Sequence, residues 1–281
     1  MKTLILDEVE STQDVVKEWL KSNEKSSTET RADQIWVLAK AQKQGRGRQG
    51  RVWHEAQKPG DALYASWGQK NFNKNLDILL LPLVAGYALF LTLKNFSPQS
   101  SKEDRGIQGR TLPIKTQIGD TPIPFFMKWP NDIWLQMPAW PKPKKMAGVL
   151  VESVSGRNVI VGWGVNLKSV PVGVEHACAF AEVFATRGVL ENNLPSTQEF
   201  LKQLQMNFEL QLKAWTESRD YMAELIQNLE LEAMKPLWGR KGVLRGPVIV
   251  EAVGLSAKGE LRVRHADGQE QCVSAGEFTF L

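Results

Sequence analysis

The longest apolar run in the chain, residues 78–93, most constrains its fold. It is about 16 residues long, short of the roughly 20 that cross a bilayer, and it carries Pro82, Gly86 and Tyr87. It predicts a buried helix over residues 76–95. Around it the chain alternates. Residues 4–6 read as a short strand. A helix then follows through Val15, Val16, Trp19 and Leu20, with Ser11 or Thr12 as its cap. Residues 35–39 and 62–67 read as strands. Beyond the apolar helix, strands at 125–129 and 133–135 flank the turn Pro130-Asn131-Asp132. Residues 147–154 and 159–165 read as consecutive strands, and 200–215 and 221–231 as helices. Residues 97–124 are polar and aperiodic, which predicts an insertion or mobile loop.

From about Pro236 the texture changes. Short strands at 243, 248–253, 261–263 and 272–273 are divided by turns at Gly246-Pro247, Lys258-Gly259 and Asp267-Gly268. The fold class expected is therefore α/β (α+β). A mixed central sheet with helices mainly on one side spans 1–235, and a small SH3-like β-barrel spans 236–281. A chain of 281 residues has room for one sizeable core and such an appendage.

The segment Gly45-Arg46-Gly47-Arg48-Gln49-Gly50-Arg51-Val52-Trp53 carries the strongest chemical signal. Glycine lets backbone approach a ligand closely, and its amides can form an anion-binding concavity. Arginine stays charged and offers a planar fork of donors to carboxylate or phosphate. The segment reads as a mobile cationic loop around something negative, or as a Gly/Arg-rich RNA-binding segment. The net charge is only +4, which favours a local anion site over a protein that coats nucleic acid. The two cysteines, Cys178 and Cys272, and three histidines form no zinc-type spacing. A reducing cytoplasm is expected, with no metal ligand assigned to the protein. Acidic Asp7 and Glu8 come too early for a signal peptide. The ten tryptophans read first as core anchors, with some available to line a pocket.

Four elements stand in one order. They are Ser11-Thr12-Gln13, the Gly/Arg segment with Gln42 just before it, Lys128-Trp129-Pro130-Asn131-Asp132, and Lys145-Met146-Ala147-Gly148-Val149-Leu150; residues 162–166 follow. In this order and spacing the chain resembles the biotin protein ligase family over nearly its whole length. The resemblance implies a two-step reaction. Biotin and ATP give biotinyl-5′-AMP and pyrophosphate, with Mg²⁺ on the polyphosphate, and a lysine of a biotin carboxyl carrier protein then takes the biotinyl group. It also implies roles. Ser11, Thr12 and Gln42 would bind the ureido end of biotin, with Gln13, Gly45, Gly47, Trp53 and Gly148 around the ligand. Lys145, Arg46 and Arg48 would serve the reacting carboxylate and α-phosphate. Arg48, Arg51, Asn131, Asp132 and Asn166 would serve the nucleotide. Residues 167–178 would form the loop over adenine.

Blander readings of the same residues stand beside these: a helix cap for Ser11 and Thr12, core for Trp53, a solvated face for the arginines and a turn cap for Asp132. The family's usual Ser-Thr-Asn is Ser11-Thr12-Gln13 here, and the role of Gln13 is open. The chain starts at the first catalytic strand, so no N-terminal winged helix, DNA binding or membrane association is expected. The oligomer is a monomer or a homodimer. Two other functions compete: a lipoate or octanoate–protein ligase of the same fold, and a non-enzymatic RNA-binding module.

Overall fold

The computed structural model describes residues 2–22, 33–98, 124–186, 188–190, 193–244 and 247–281. Residues 99–123 of the expected insertion, and Gly246 of the Gly246-Pro247 turn, lie outside these. A seven-stranded sheet forms the centre. Its strands are β1 (Lys2–Val9), β2 (Gln34–Gln42), β5 (Ala62–Gln69), β6 (Phe125–Lys128), β7 (Asp132–Leu135), β8 (Lys144–Val154) and β9 (Asn158–Asn166). They lie in the order β1-β2-β5-β9-β8-β7-β6. β1 and β2 are parallel and the other neighbours antiparallel, so the sheet is mixed, as expected.

Alternation along the strands divides the sheet into two different faces. On β2, Trp36 and Leu38 enter the main core, whereas Ile35 and Val37 join a small cluster with Val16 and Leu20 of α1 (Thr12–Ser22). The main core lies under α2 (Leu81–Phe96), α3 (Ala181–Ala185), α4 (Thr197–Glu217) and α5 (Tyr221–Asn228), all of which contribute buried residues to it. Among the described α-helices, α1 alone covers the opposite face. The apolar run is α2, entered through a 3-10 turn at Ile78–Leu80 that Asp77 caps. The segment Ile78–Phe96 is apolar enough to cross a bilayer, but it is buried here as a core helix. α4 begins with a reciprocal Ser196–Glu199 capping box. Its Asn207 donates to Thr92 of α2 at 2.9 Å.

Phe208 ties α4 to the sheet. It meets Trp36, Trp67 and Trp163 edge-on, with ring centroids 6.0, 5.1 and 5.0 Å away, a favoured aromatic geometry.

The C-terminal strands are β10 (Lys241–Val243), β11 (Ile249–Leu255), β12 (Leu261–Arg264), β13 (Glu270–Val273) and β14 (Thr279–Phe280). They form an antiparallel sheet ordered β13-β12-β11-β10-β14. Where a closed barrel was expected, β13 and β14 are not paired with each other among the described residues. The last strand was missed because it is two residues long and carries no alternation. This sheet docks on the central one through Trp129, whose Nε1 donates to Gly259 O at 3.1 Å, and through Phe280 against Trp134.

Phe208→Ala removes the ring that joins α4 to three tryptophans. We expect a loss of about 3–5 kcal/mol in urea unfolding, the usual cost of truncating a buried aromatic. A loss below about 1 kcal/mol would show that α4 is held elsewhere.

Candidate functional site

A cavity of about 620 Å³ opens on the α1 face of the sheet. Its floor is set by register. Ser66 of β5 pairs with Gly162 of β9, which pairs with Leu150 of β8; Tyr64, Gly164 and Gly148 form the next row. Glycine is needed in these rows. A Cβ on Gly162 would stand 2.7 Å from Gln13 Nε2, and one on Gly164 would stand 2.5 Å from the Trp53 ring. The bare backbone lets both side chains lie on the sheet.

One end of the cavity is polar and buried. The Thr12 amide donates to Gln42 Oε1 at 2.9 Å, and the Thr12 hydroxyl lies 3.2 Å from that oxygen and 2.8 Å from Ser66 Oγ. The Thr12 hydroxyl thus faces the sheet rather than serving only as a helix cap. Gln13 Nε2 donates to Leu150 O at 3.1 Å, so its longer side chain reaches across Gly162 to β8. Gln13 Oε1 and Asn166 Oδ1 are buried without a hydrogen-bond partner, as are Trp53 Nε1 and Trp134 Nε1. Unpaired buried polar atoms are costly, and these four residues all line the cavity.

The Gly/Arg segment, read from the sequence as a loop, is folded as a small hairpin. Strands β3 (Gly45–Arg46) and β4 (Val52–Trp53) pair antiparallel around a 3-10 turn at Arg48–Gly50. Gly45 packs so tightly on β4 that a Cβ there would sit 2.3 Å from Trp53 O. Each arginine has a partner. Arg46 pairs with Asp14 of α1, Arg51 pairs with Glu277 of the C-terminal segment, and Arg48 Nη1 donates to Asn131 Oδ1 at 3.4 Å.

Across the cavity, Lys145 Nζ lies 2.9 Å from Asp132 Oδ1 and 5.5 Å from the centre of the Trp53 ring. A backbone bridge, Lys145 N to His176 O at 2.7 Å, brings the segment at 174–177 alongside β8. Asn131 is fixed by Val149, whose amide donates to Asn131 O at 3.0 Å and whose carbonyl accepts from Asn131 Nδ2. Asn166 Nδ2 donates to Cys178 O at 3.1 Å. Every residue expected at the site lines the cavity except Gly45, which shapes the hairpin. Among the described residues no group of three or more His, Cys, Asp and Glu side chains is placed to hold a metal ion.

Several lining residues were not assigned from sequence. Ser66, Trp134 and Glu277 offered no local signal. Lys128 belonged to a quoted motif but received no role. Its side chain is almost fully buried, 3.5 Å from Glu277 Oε1 and 4.6 Å above the Trp134 ring. Burial pulls the Lys128 amine below its ordinary pKa, against the opposing pull of Asp132 and Glu277. The hydrogen bond from Arg51, helped by Lys128, holds the Glu277 carboxyl at about 2 despite its partial burial.

A cationic hairpin, a lysine–aspartate pair and a polar corner thus meet on one glycine floor. The profile of the Biotin/lipoate A/B protein ligase family matches residues 6–166, more than half of the 281-residue chain, and the chain belongs to that family. It is thus an enzyme of the biotin/lipoate ligase class. Across its full length it is similar to 98% of the biotin protein ligase from Aquifex aeolicus in complex with biotin and ATP, at 26% identity and a TM-score of 0.69. Two further solved structures share the fold. The biotin protein ligase from Leishmania major in complex with biotinyl-5-AMP is 24% identical, with a TM-score of 0.60 over 98% of this chain and 99% of that one. The biotin acetyl coenzyme A carboxylase synthetase from Helicobacter pylori with bound biotinylated ATP is 20% identical, with a TM-score of 0.55 over 99% of each chain.

The Glu277 ion pairs make stability depend on acid. Because its pKa is depressed in the fold, its contribution is complete above the ordinary value of 4.5 and is lost as pH falls toward about 2. The stability difference between the parent and Glu277→Gln should therefore be flat near neutrality and shrink below about pH 4.5. A difference unchanged down to pH 2 would contradict the pairing.

Proposed function

We propose that the chain is a biotin protein ligase acting on a biotin carboxyl carrier protein. One observation carries this reading. A buried polar corner of Thr12, Gln13, Gln42 and Ser66 and a cationic rim of Lys145, Arg46 and Arg48 share one cavity. Such a cavity suits a compact acid with a hydrogen-bonding head. A plain acyl chain would leave Gln13 Oε1 unpaired, an arrangement that strongly disfavours a ligand without a donor.

In the first step the biotin carboxylate oxygen attacks the α-phosphorus of ATP. An acyl C–O–P linkage forms and the bond to pyrophosphate breaks. Two anions must meet, so cations placed where charge builds up lower the barrier. Lys145, on the rigid strand β8, is the fixed cation; Arg46 and Arg48 are brought by the hairpin. Mg²⁺ carried by the ATP polyphosphate would neutralise part of its charge. In the second step the acceptor lysine amine attacks the biotinyl carbonyl, the amide forms, and AMP leaves. The amine must be neutral to attack. Asp132, beside Lys145, would steer the incoming ammonium and receive its proton. The mixed anhydride hydrolyses if wetted, and a hairpin that covers it protects it.

Biotin-dependent exchange of pyrophosphate into ATP tests the reading. Lys145→Ala should cut the exchange rate by roughly 100- to 1000-fold, the usual effect of removing one group that stabilises developing charge. It should weaken biotin binding far less. Exchange that falls only in proportion to biotin affinity would make Lys145 a ground-state contact. Exchange driven by lipoate and not by biotin would overturn the assignment.

A further inference from the structure

Glu277 belongs to the C-terminal sheet, in the turn that leads into β14, yet its carboxylate lies in the wall of the cavity. It bonds Arg51 of the hairpin with one oxygen and stands 3.5 Å from Lys128 Nζ with the other. Arg51 comes from the hairpin and Lys128 from the end of β6, and Glu277 is the carboxylate between them. Two convergent cations, one a planar fork and one a buried point charge, match a phosphate group better than a single carboxylate. The Arg51–Glu277 pair is also exchangeable. The Arg51 side chain is 58% exposed, so a competing anion can reach it from solvent. A polyphosphate carries several charges and would displace Glu277.

We propose that Glu277 is an internal competitor for the polyphosphate: it occupies Arg51 and Lys128, and an incoming nucleotide takes both cations from it. Nucleotide entry would then release the Gly/Arg hairpin from the C-terminal sheet and couple the hairpin to the last strand of the chain. This inference rests on the ligase reading above, which supplies the nucleotide.

The test uses Glu277→Gln, which keeps the shape and removes the charge. Binding of MgATP and of inorganic pyrophosphate, measured by calorimetry, should tighten by roughly three- to tenfold. Biotin binding should change much less. In an Arg51→Gln background the gain from Glu277→Gln should shrink, because one of the two cations it frees is gone. Weaker nucleotide binding by a variant that is still fully folded at the temperature of the measurement would make Glu277 an orienting residue and overturn the proposal, as would an equal gain in both backgrounds. A second measurement needs no variant. Pyrophosphate added to the unmodified protein should speed amide hydrogen exchange at 276–280, and unchanged or slower exchange there overturns the proposal. If the unmodified protein binds neither MgATP nor pyrophosphate, the ligase reading fails and this inference falls with it. Normal binding without a gain in the variant overturns this inference alone.

Discussion

The cavity depends on a sheet face on which three of the six floor positions are glycine. Gly148, Gly162 and Gly164 stand in register on β8 and β9, beside Ser66 and Tyr64 of β5. On the opposite face, the neighbours of these glycines are Ala147, Val149, Val161, Trp163 and Val165, all in the main core. The same strands therefore hold the molecule together on one side and present bare backbone on the other. A methyl group at Gly162 or Gly164 would collide with Gln13 or Trp53, so the glycines determine which groups reach the floor. Rigid strands carry Ser66 and Lys145 and the start of α1 carries Thr12 and Gln13, whereas the arginines ride on a hairpin. That division suits a site in which binding must be exact and coverage must change.

Charge is arranged as alternating pairs around this floor. Arg46 faces Asp14, Lys145 faces Asp132, and Glu277 lies between Arg51 and Lys128. No cation of this set is left bare, which limits mutual repulsion in a narrow space. The consequence is competition. An anionic substrate must do better than a protein carboxylate at each position, so affinity is a difference between two sets of ion pairs. Lys128 is the extreme case. Its amine is buried, which disfavours its charge, and the nearby Asp132 and Glu277 favour it. This places the C-terminal sheet in the chemistry of the cavity as well as in the architecture.

Much of this was legible in the sequence. Strong alternation and long apolar stretches marked the central strands and α2, and the order of the motifs brought together the residues around the cavity. Where contacts set the structure, the sequence was silent. The partners of Thr12 are Gln42 and Ser66, 30 and 54 positions away, and Glu277 meets Arg51 across 226; no local pattern encodes such pairs. The hairpin was read as a loop because its glycines hid two short strands. The barrel expected at the C-terminus is an open five-stranded order among the described residues, since short strands and turns specify pairing but not closure. The exchange of Asn for Gln13 acquired a physical meaning only once Leu150 O was seen across Gly162.

On the proposed function, the polar corner, the glycine floor and the cationic hairpin form one site for an acyl-adenylate with a hydrogen-bonding head. Equilibrium binding of non-hydrolysable acyl-sulfamate analogues tests it most directly, with biotinyl and octanoyl forms compared on the unmodified protein. The biotinyl analogue should bind at least about 100-fold more tightly, because only it satisfies the buried polar atoms of the corner. Equal affinity for the two, or tighter binding of the octanoyl form, would contradict the account.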